Sequence, residues 1–99
     1  MVIVMGTVKL DPSKLEAAKP AMAKMVAASR AEPGCIAYAY AQDVLDPETI
    51  HIAEQWTDRA ALTEHVATPH MAEWRGVMGG LGLTGRDLKV FEADEGAAI

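Results

Sequence analysis

Cysteine occurs once in this chain, at Cys35, so no internal disulfide can hold the fold. Its neighbours Gly34 and Ile36 bring no cation that would activate the thiol, which reads as a small packed residue. Basic charge is also scarce: nine lysines and arginines stand against fourteen acids, a net charge of −5, and Lys9, Lys14, Lys19 and Lys24 are balanced by acidic residues. Nucleic acid requires a basic stripe, so it is excluded as a partner. No apolar run approaches the length of a membrane span, and the opening Met-Val-Ile-Val-Met is too short for a signal segment and lacks a basic flank. The expectation is a cytoplasmic protein with no membrane role. Gly79-Gly80-Leu81-Gly82 follows a helical pattern instead of opening one, which leaves no phosphate-cradling loop for a flavin or nicotinamide cofactor. Aromatic residues make up only 5%, so each ring calls for an explanation.

What remains is 51% apolar and 23% charged, a globular composition, and 99 residues suffice for one core in a single domain spanning residues 1–99. Residues 2–10 are short and β-branched and stop at Asp11-Pro12, which predicts a strand and then a helix capped by Asp11 with Pro12 in its first turn. Leu15, Ala18, Met22, Met25, Val26 and Ser29 recur at helical spacing, with Pro20 on the opposite face, where it predicts a bend rather than a break. Ala31-Glu32-Pro33-Gly34 ends the helix, with Gly34 allowing the sharp reversal. Strands over Cys35–Gln42 and Thr49–Trp56 flank a turn-rich segment and form a hairpin. Asp58 caps a short helix to about Val66. Thr68-Pro69 restarts a second helical piece, with Met71, Trp74, Met78 and Leu81 on one face, and the glycines at 79, 80 and 82 end it. A last strand is expected from Leu88 to Ala93, with residues 94–99 as a frayed tail.

This order gives a ferredoxin-like βαββαβ α+β fold, with a four-stranded antiparallel sheet and its helices on one face. Val2-Ile3-Val4-Met5 and Cys35-Ile36-Ala37-Tyr38-Ala39-Tyr40-Ala41 are apolar on both sides, which is wrong for a sheet with one solvated face. A second copy of the same sheet is the economical cover, so a homodimer packed face to face is expected.

Ser29-Arg30-Ala31-Glu32-Pro33-Gly34-Cys35, then Tyr38, then Glu54-x-Trp56-x-Asp58-x-x-Ala61-Leu62-x-x-His65 and Pro69-His70 run through nearly the whole chain. In these residues the chain resembles the antibiotic biosynthesis monooxygenase family of small dimeric α+β barrels. The resemblance implies a homodimeric barrel. It also extends to quinol oxygenases, haem-degrading proteins and enzymes acting on small signalling molecules. For its oxygenases it implies oxidation of electron-rich phenolic or anthrone-like substrates by molecular oxygen without flavin, haem or metal. Such a substrate becomes its own electron donor once deprotonated, so the protein need supply only a dry pocket, orientation and a base.

His65, with an intrinsic pKa near neutrality, is the first candidate for that base, the alternative being a helix-end residue bonded to a carbonyl or to Glu54. Glu54 shares a strand face with Ile50, Ile52 and Trp56 and must find a partner, either a basic residue across the dimer or an imidazole that it orients. Trp56 and Trp74 are candidates for an aromatic wall, Tyr38 and Tyr40 for a phenol pair on one face, and Met71 for the pocket lining. His70, second in its helix, is favoured in the neutral form by the helix dipole and is placed at the pocket mouth. Metal ligation is not expected: His65 and His70 are five apart across a helix break, and His51 lies on the strand face opposite Glu54. Haem is disfavoured by Thr7, where the resemblance to haem-degrading members implies an asparagine, and by Trp74-Arg75 where it implies a histidine. The favoured reading is a cofactor-free oxygenase acting on a quinol-like or polycyclic aromatic compound. The alternative is a noncatalytic dimeric binding or stress-related module for a small apolar metabolite.

Overall fold

The computed structural model describes residues 1–99. Four strands, β1 (Val2–Lys9), β2 (Cys35–Gln42), β3 (Thr49–Trp56) and β4 (Thr84–Glu92), form one antiparallel sheet in the order β2-β3-β1-β4. Three helices, α1 (Leu15–Arg30), α2 (Arg59–Val66) and α3 (Pro69–Val77), complete the ferredoxin-like α+β fold. No helix is long and apolar enough to cross a membrane.

The period of two along each strand sorts the side chains. Val2, Val4 and Val8 of β1 are buried, as are Ile50, Ile52, Glu54 and Trp56 of β3. They meet Ala18, Met22 and Met25 of α1 and Met71 and Trp74 of α3 in one core. The opposite sheet face carries Met5, His51, Ala53 and Phe91, all exposed. Asp11 caps a single 3-10 turn, Pro12–Lys14, ahead of α1, by accepting from the Ser13 amide. Pro20 lies on the exposed face within α1 and does not split the helix.

Two sequence expectations change. Strand β4 begins at Thr84, four residues before the expected Leu88, although Thr84-Gly85-Arg86-Asp87 is poor strand material by itself. The free edge of β1 recruits it: Thr7 pairs with Asp87, and Lys9 pairs with Thr84 across a bulge. Gly6 makes that approach possible, because a Cβ there would collide with the Asp87 carbonyl. Gly34, in turn, does not occupy the left-handed region. It is needed for contact, since a Cβ on it would overlap the Ala61 side chain of α2 and crowd the Thr57 hydroxyl at 3.2 Å.

Candidate active site

The turn after α1 is fixed through its backbone. The Glu32 amide donates to the Ser29 carbonyl at 3.1 Å, the Glu32 carbonyl accepts from Cys35 at 3.0 Å, and the Gly34 carbonyl accepts from Thr57 at 3.0 Å. Together with the Gly34–Ala61 contact, these bonds set Glu32 beside α2 at a fixed height. Helix α2 starts at Asp58, whose carboxylate accepts from the Ala61 amide at 2.8 Å. At the other end of α2, Thr68 has two partners: its hydroxyl donates to the His65 carbonyl at 2.7 Å and accepts from the Met71 amide at 3.4 Å. One side chain therefore fixes the exit of α2, with His65, and the entry of α3, with His70. Arg75 braces the same joint by donating to the Val66 carbonyl at 2.9 Å.

These constraints bring three residues together. Glu32 Oε2 lies 2.6 Å from His65 Nδ1 and 2.9 Å from His70 Nε2. In the neutral tautomer that donates Nδ1–H to this carboxylate, His65 holds its lone pair on Nε2. His65 is 2% exposed and packs against the Trp56 indole, with ring centroids 4.5 Å apart, and against Tyr38, at 5.3 Å. Nε2 makes no hydrogen bond, yet no sealed side-chain nitrogen or oxygen in the protein lacks a partner. That atom is thus the accessible edge of an otherwise buried ring, and the ring forms part of a cavity wall.

The cavity has a volume of about 430 Å³ and lies between the inner sheet face and helices α2 and α3. This falls in the usual range for small-molecule sites. Of the residues singled out in the sequence, Tyr38, Glu54, His65, Met71 and Trp74 line it. Trp56 does not: it is fully buried behind the wall, donating its indole N–H to Glu54 Oε1 at 2.9 Å. His70 is also off the main cavity, beside a small hollow between α1 and α3. The partner that orients His65 is Glu32, whereas Glu54 is held by Trp56. His51 faces the other side of the sheet and pairs with Asp43 at 2.6 Å.

Burial raises the Glu54 carboxyl above its ordinary value, opposed by the Trp56 hydrogen bond and by attraction to His65 and Arg86. Burial also drives the phenols of Tyr38 and Tyr40 upward, so both stay neutral donors. Their rings stack with centroids 5.9 Å apart. Three cations, Arg75, Arg86 and Lys89, reach the cavity wall. Glu32 and Arg86 were the residues least visible as site members: Glu32 stood in a helix-ending turn and Arg86 ahead of the expected last strand. Tyr40, expected in a phenol pair with Tyr38, lines the cavity as well.

The chain matches the antibiotic biosynthesis monooxygenase family over residues 1–77. An uncharacterized protein of Synechocystis sp., sll1783, is 34% identical over 73 residues, covering 74% of this chain and 50% of that protein. The chain thus matches about half the length of that relative. A Deinococcus radiodurans protein, named as a candidate antibiotic biosynthesis monooxygenase, superposes with a TM-score of 0.90 at 26% identity, covering 100% of this chain and 98% of the other. Rv0793 from Mycobacterium tuberculosis gives 0.84 at 25% identity, with 98% of each chain covered. PA3566 from Pseudomonas aeruginosa gives 0.74 at 32% identity, covering 97% and 94%. The structural likeness therefore includes β4, which lies beyond the family match. The chain belongs to the antibiotic biosynthesis monooxygenase family.

Proposed function

We propose that the protein is a cofactor-independent monooxygenase that oxidises a quinol-like or polycyclic aromatic phenol with molecular oxygen, using His65 as general base. The observation that carries this reading is the Glu32–His65 pair: a carboxylate at 2.6 Å from Nδ1 leaves the Nε2 lone pair as the one accessible polar edge of a buried ring on the cavity wall. Glu32 here is a positioning residue that also stabilises the imidazolium when it forms.

The substrate hydroxyl, or the acidic C–H of an anthrone, loses its proton to His65 Nε2. Arg86, which attracts the Glu54 carboxylate, supplies positive charge on the same wall for the resulting phenolate. The anion passes one electron to oxygen, and the radical and superoxide combine to a peroxide that takes back the proton from His65. The peroxide then loses water to leave a quinone carbonyl. One oxygen atom enters the product and the other leaves as water, with both electrons for its reduction drawn from the substrate. Tyr38 and Tyr40, kept neutral by burial, can donate to the product-side oxygen. Apolar walls such as Met71 and Trp74 keep bulk water from the anion.

The protein functions as a homodimer in this reading. Met5 and Phe91 are half exposed on the outer sheet face, Ala37 and Ala53 are exposed, and Ala39 is partly buried beside them. A second sheet buries this patch.

The test is oxygen uptake by metal-stripped protein across a panel of reduced quinones and anthrones, with no flavin or nicotinamide added. Protein-dependent uptake, with one labelled oxygen atom in the product and its loss in His65→Ala, is the expected result. Tight binding of the same compounds with no uptake would replace the oxygenase with a noncatalytic binding module.

A further inference from the structure

The pairing of His65 and His70 through one carboxylate oxygen has a second chemical meaning. Three elements deliver Glu32, His65 and His70 to one point, and their ligand atoms all lie within 4.8 Å of one another. This is a two-imidazole, one-carboxylate set, the donor chemistry that late divalent transition metals prefer. Zinc bonds of roughly 2.0–2.2 Å require ligand atoms about 3.3 Å apart in a tetrahedron. The present separations of 2.6 and 2.9 Å need to open by less than about 1 Å to reach that value, with each imidazole shifting its proton to its other ring nitrogen as the metal takes the vacated lone pair. Glu32 and His70 are 13% and 20% exposed at their side chains, so an ion has a route in, whereas His65 seals the inner side at 2%.

We propose that Glu32, His65 and His70 form a binding site for a zinc-class divalent cation that controls the cavity base. The ring proton of His65 moves from Nδ1 to Nε2, the metal takes the Nδ1 lone pair so freed, and Nε2–H becomes a donor in place of an acceptor. An occupied site therefore leaves His65 unable to accept the substrate proton, a consequence that rests on the oxygenase reading. The ion itself does not meet substrate. Glu32 and His70 are absent from the large cavity.

The test is calorimetric titration of the metal-stripped, full-length protein with Zn²⁺, repeated with Co²⁺ while its visible absorption is recorded. One Zn²⁺ per chain and the intense Co²⁺ bands of a four-coordinate site are expected. His70→Ala and Glu32→Gln should each weaken binding at least tenfold. His51→Ala, which removes the imidazole on the opposite face, should bind as the unmodified protein does. Should a ligand variant fold poorly, imidazole NMR of the unmodified protein decides: Zn²⁺ must move the ring signals of His65 and His70 and not those of His51. No saturable binding, equal binding in all variants, or a shift at His51 alone overturns the site. Where oxygen uptake exists, Zn²⁺ should suppress it with the midpoint of the binding curve. A protein that takes up no oxygen would fail the oxygenase reading and leave the metal titration to stand or fall by itself.

Discussion

Glu32 and His65 are 33 positions apart in the chain and 2.6 Å apart in the fold. The carboxylate fixes both the ring orientation and the tautomer of the imidazole, which decides whether the cavity sees a base or a donor. Glu32→Gln can donate from its amide to Nδ1 and so permits the wrong tautomer. Oxygen uptake is expected to fall on the order of 10²-fold, close to the loss in His65→Ala. Substrate affinity, measured by fluorescence quenching, should stay near its original value in both, because neither removes an apolar wall. A Glu32→Gln variant with full turnover would show that His65 needs no orienting partner.

Glu54 carries a pH signature of its own. Burial raises its carboxyl, so the folded chain binds a proton more tightly there than the unfolded chain does. Its contribution to stability is complete below the ordinary carboxylate pKa and is lost as pH rises through the raised value. Glu54→Gln, which keeps the bond from Trp56 and removes the charge, is therefore expected to raise the melting temperature at pH 7 and to leave it unchanged near pH 4. Turnover should fall in the same variant, because the attraction of Glu54 for the His65 imidazolium is gone.

Asp43 predicts the opposite slope. Its hydrogen bond with His51, followed by those from the Leu45 and Asp46 amides, lowers its pKa to about 2. Its contribution is present above the usual aspartate pKa and disappears as pH falls toward about 2. Acid unfolding followed by circular dichroism should be less steep in this window for Asp43→Asn. The β2–β3 turn should exchange amide hydrogens faster in that variant at neutral pH.

Gly34 and Ala61 form a contact with no spare volume. Gly34→Ala places a Cβ against that of Ala61 and should cost about 1–3 kcal/mol, read by urea denaturation. Because Gly34 follows Glu32 by two positions and Ala61 precedes His65 by one helical turn, turnover should drop as well. Adding Ala61→Gly should restore part of both, more than the sum of the single effects allows.

The outer sheet face is tested by charge. Met5→Glu, on the exposed outer face and not among the cavity-lining residues, should convert a dimer to a monomer in sedimentation velocity. An unchanged monomer in the unmodified protein would remove the dimer from the proposed function.

The sequence by itself determined the strands, their alternation, the helical stripes and the cap residues, because each depends on neighbours within a turn or two. The hairpin Cys35–Gln42 and Thr49–Trp56, the caps at Asp58 and Thr68, and the shared face of Tyr38 and Tyr40 are all of this local kind. It also marked Glu54 as a polar residue on an apolar strand face and His65 as the first candidate for a base, and both are buried on the cavity wall. Only the tertiary structure decided which partner each one has. Glu32 reaches His65 because the α1–β2 turn is tied to β3 and α2 by Gly34, and His70 joins them because Thr68 turns the chain between two helices. A spacing of five across a helix break argued against a shared ligand set, yet the turn that Thr68 fixes between the two helices brings His70 back to the carboxylate that His65 meets. Strand β4 follows the same physics: Thr84 to Asp87 adopt a conformation they do not prefer, because the unpaired edge of β1 offers hydrogen bonds that outweigh local propensity.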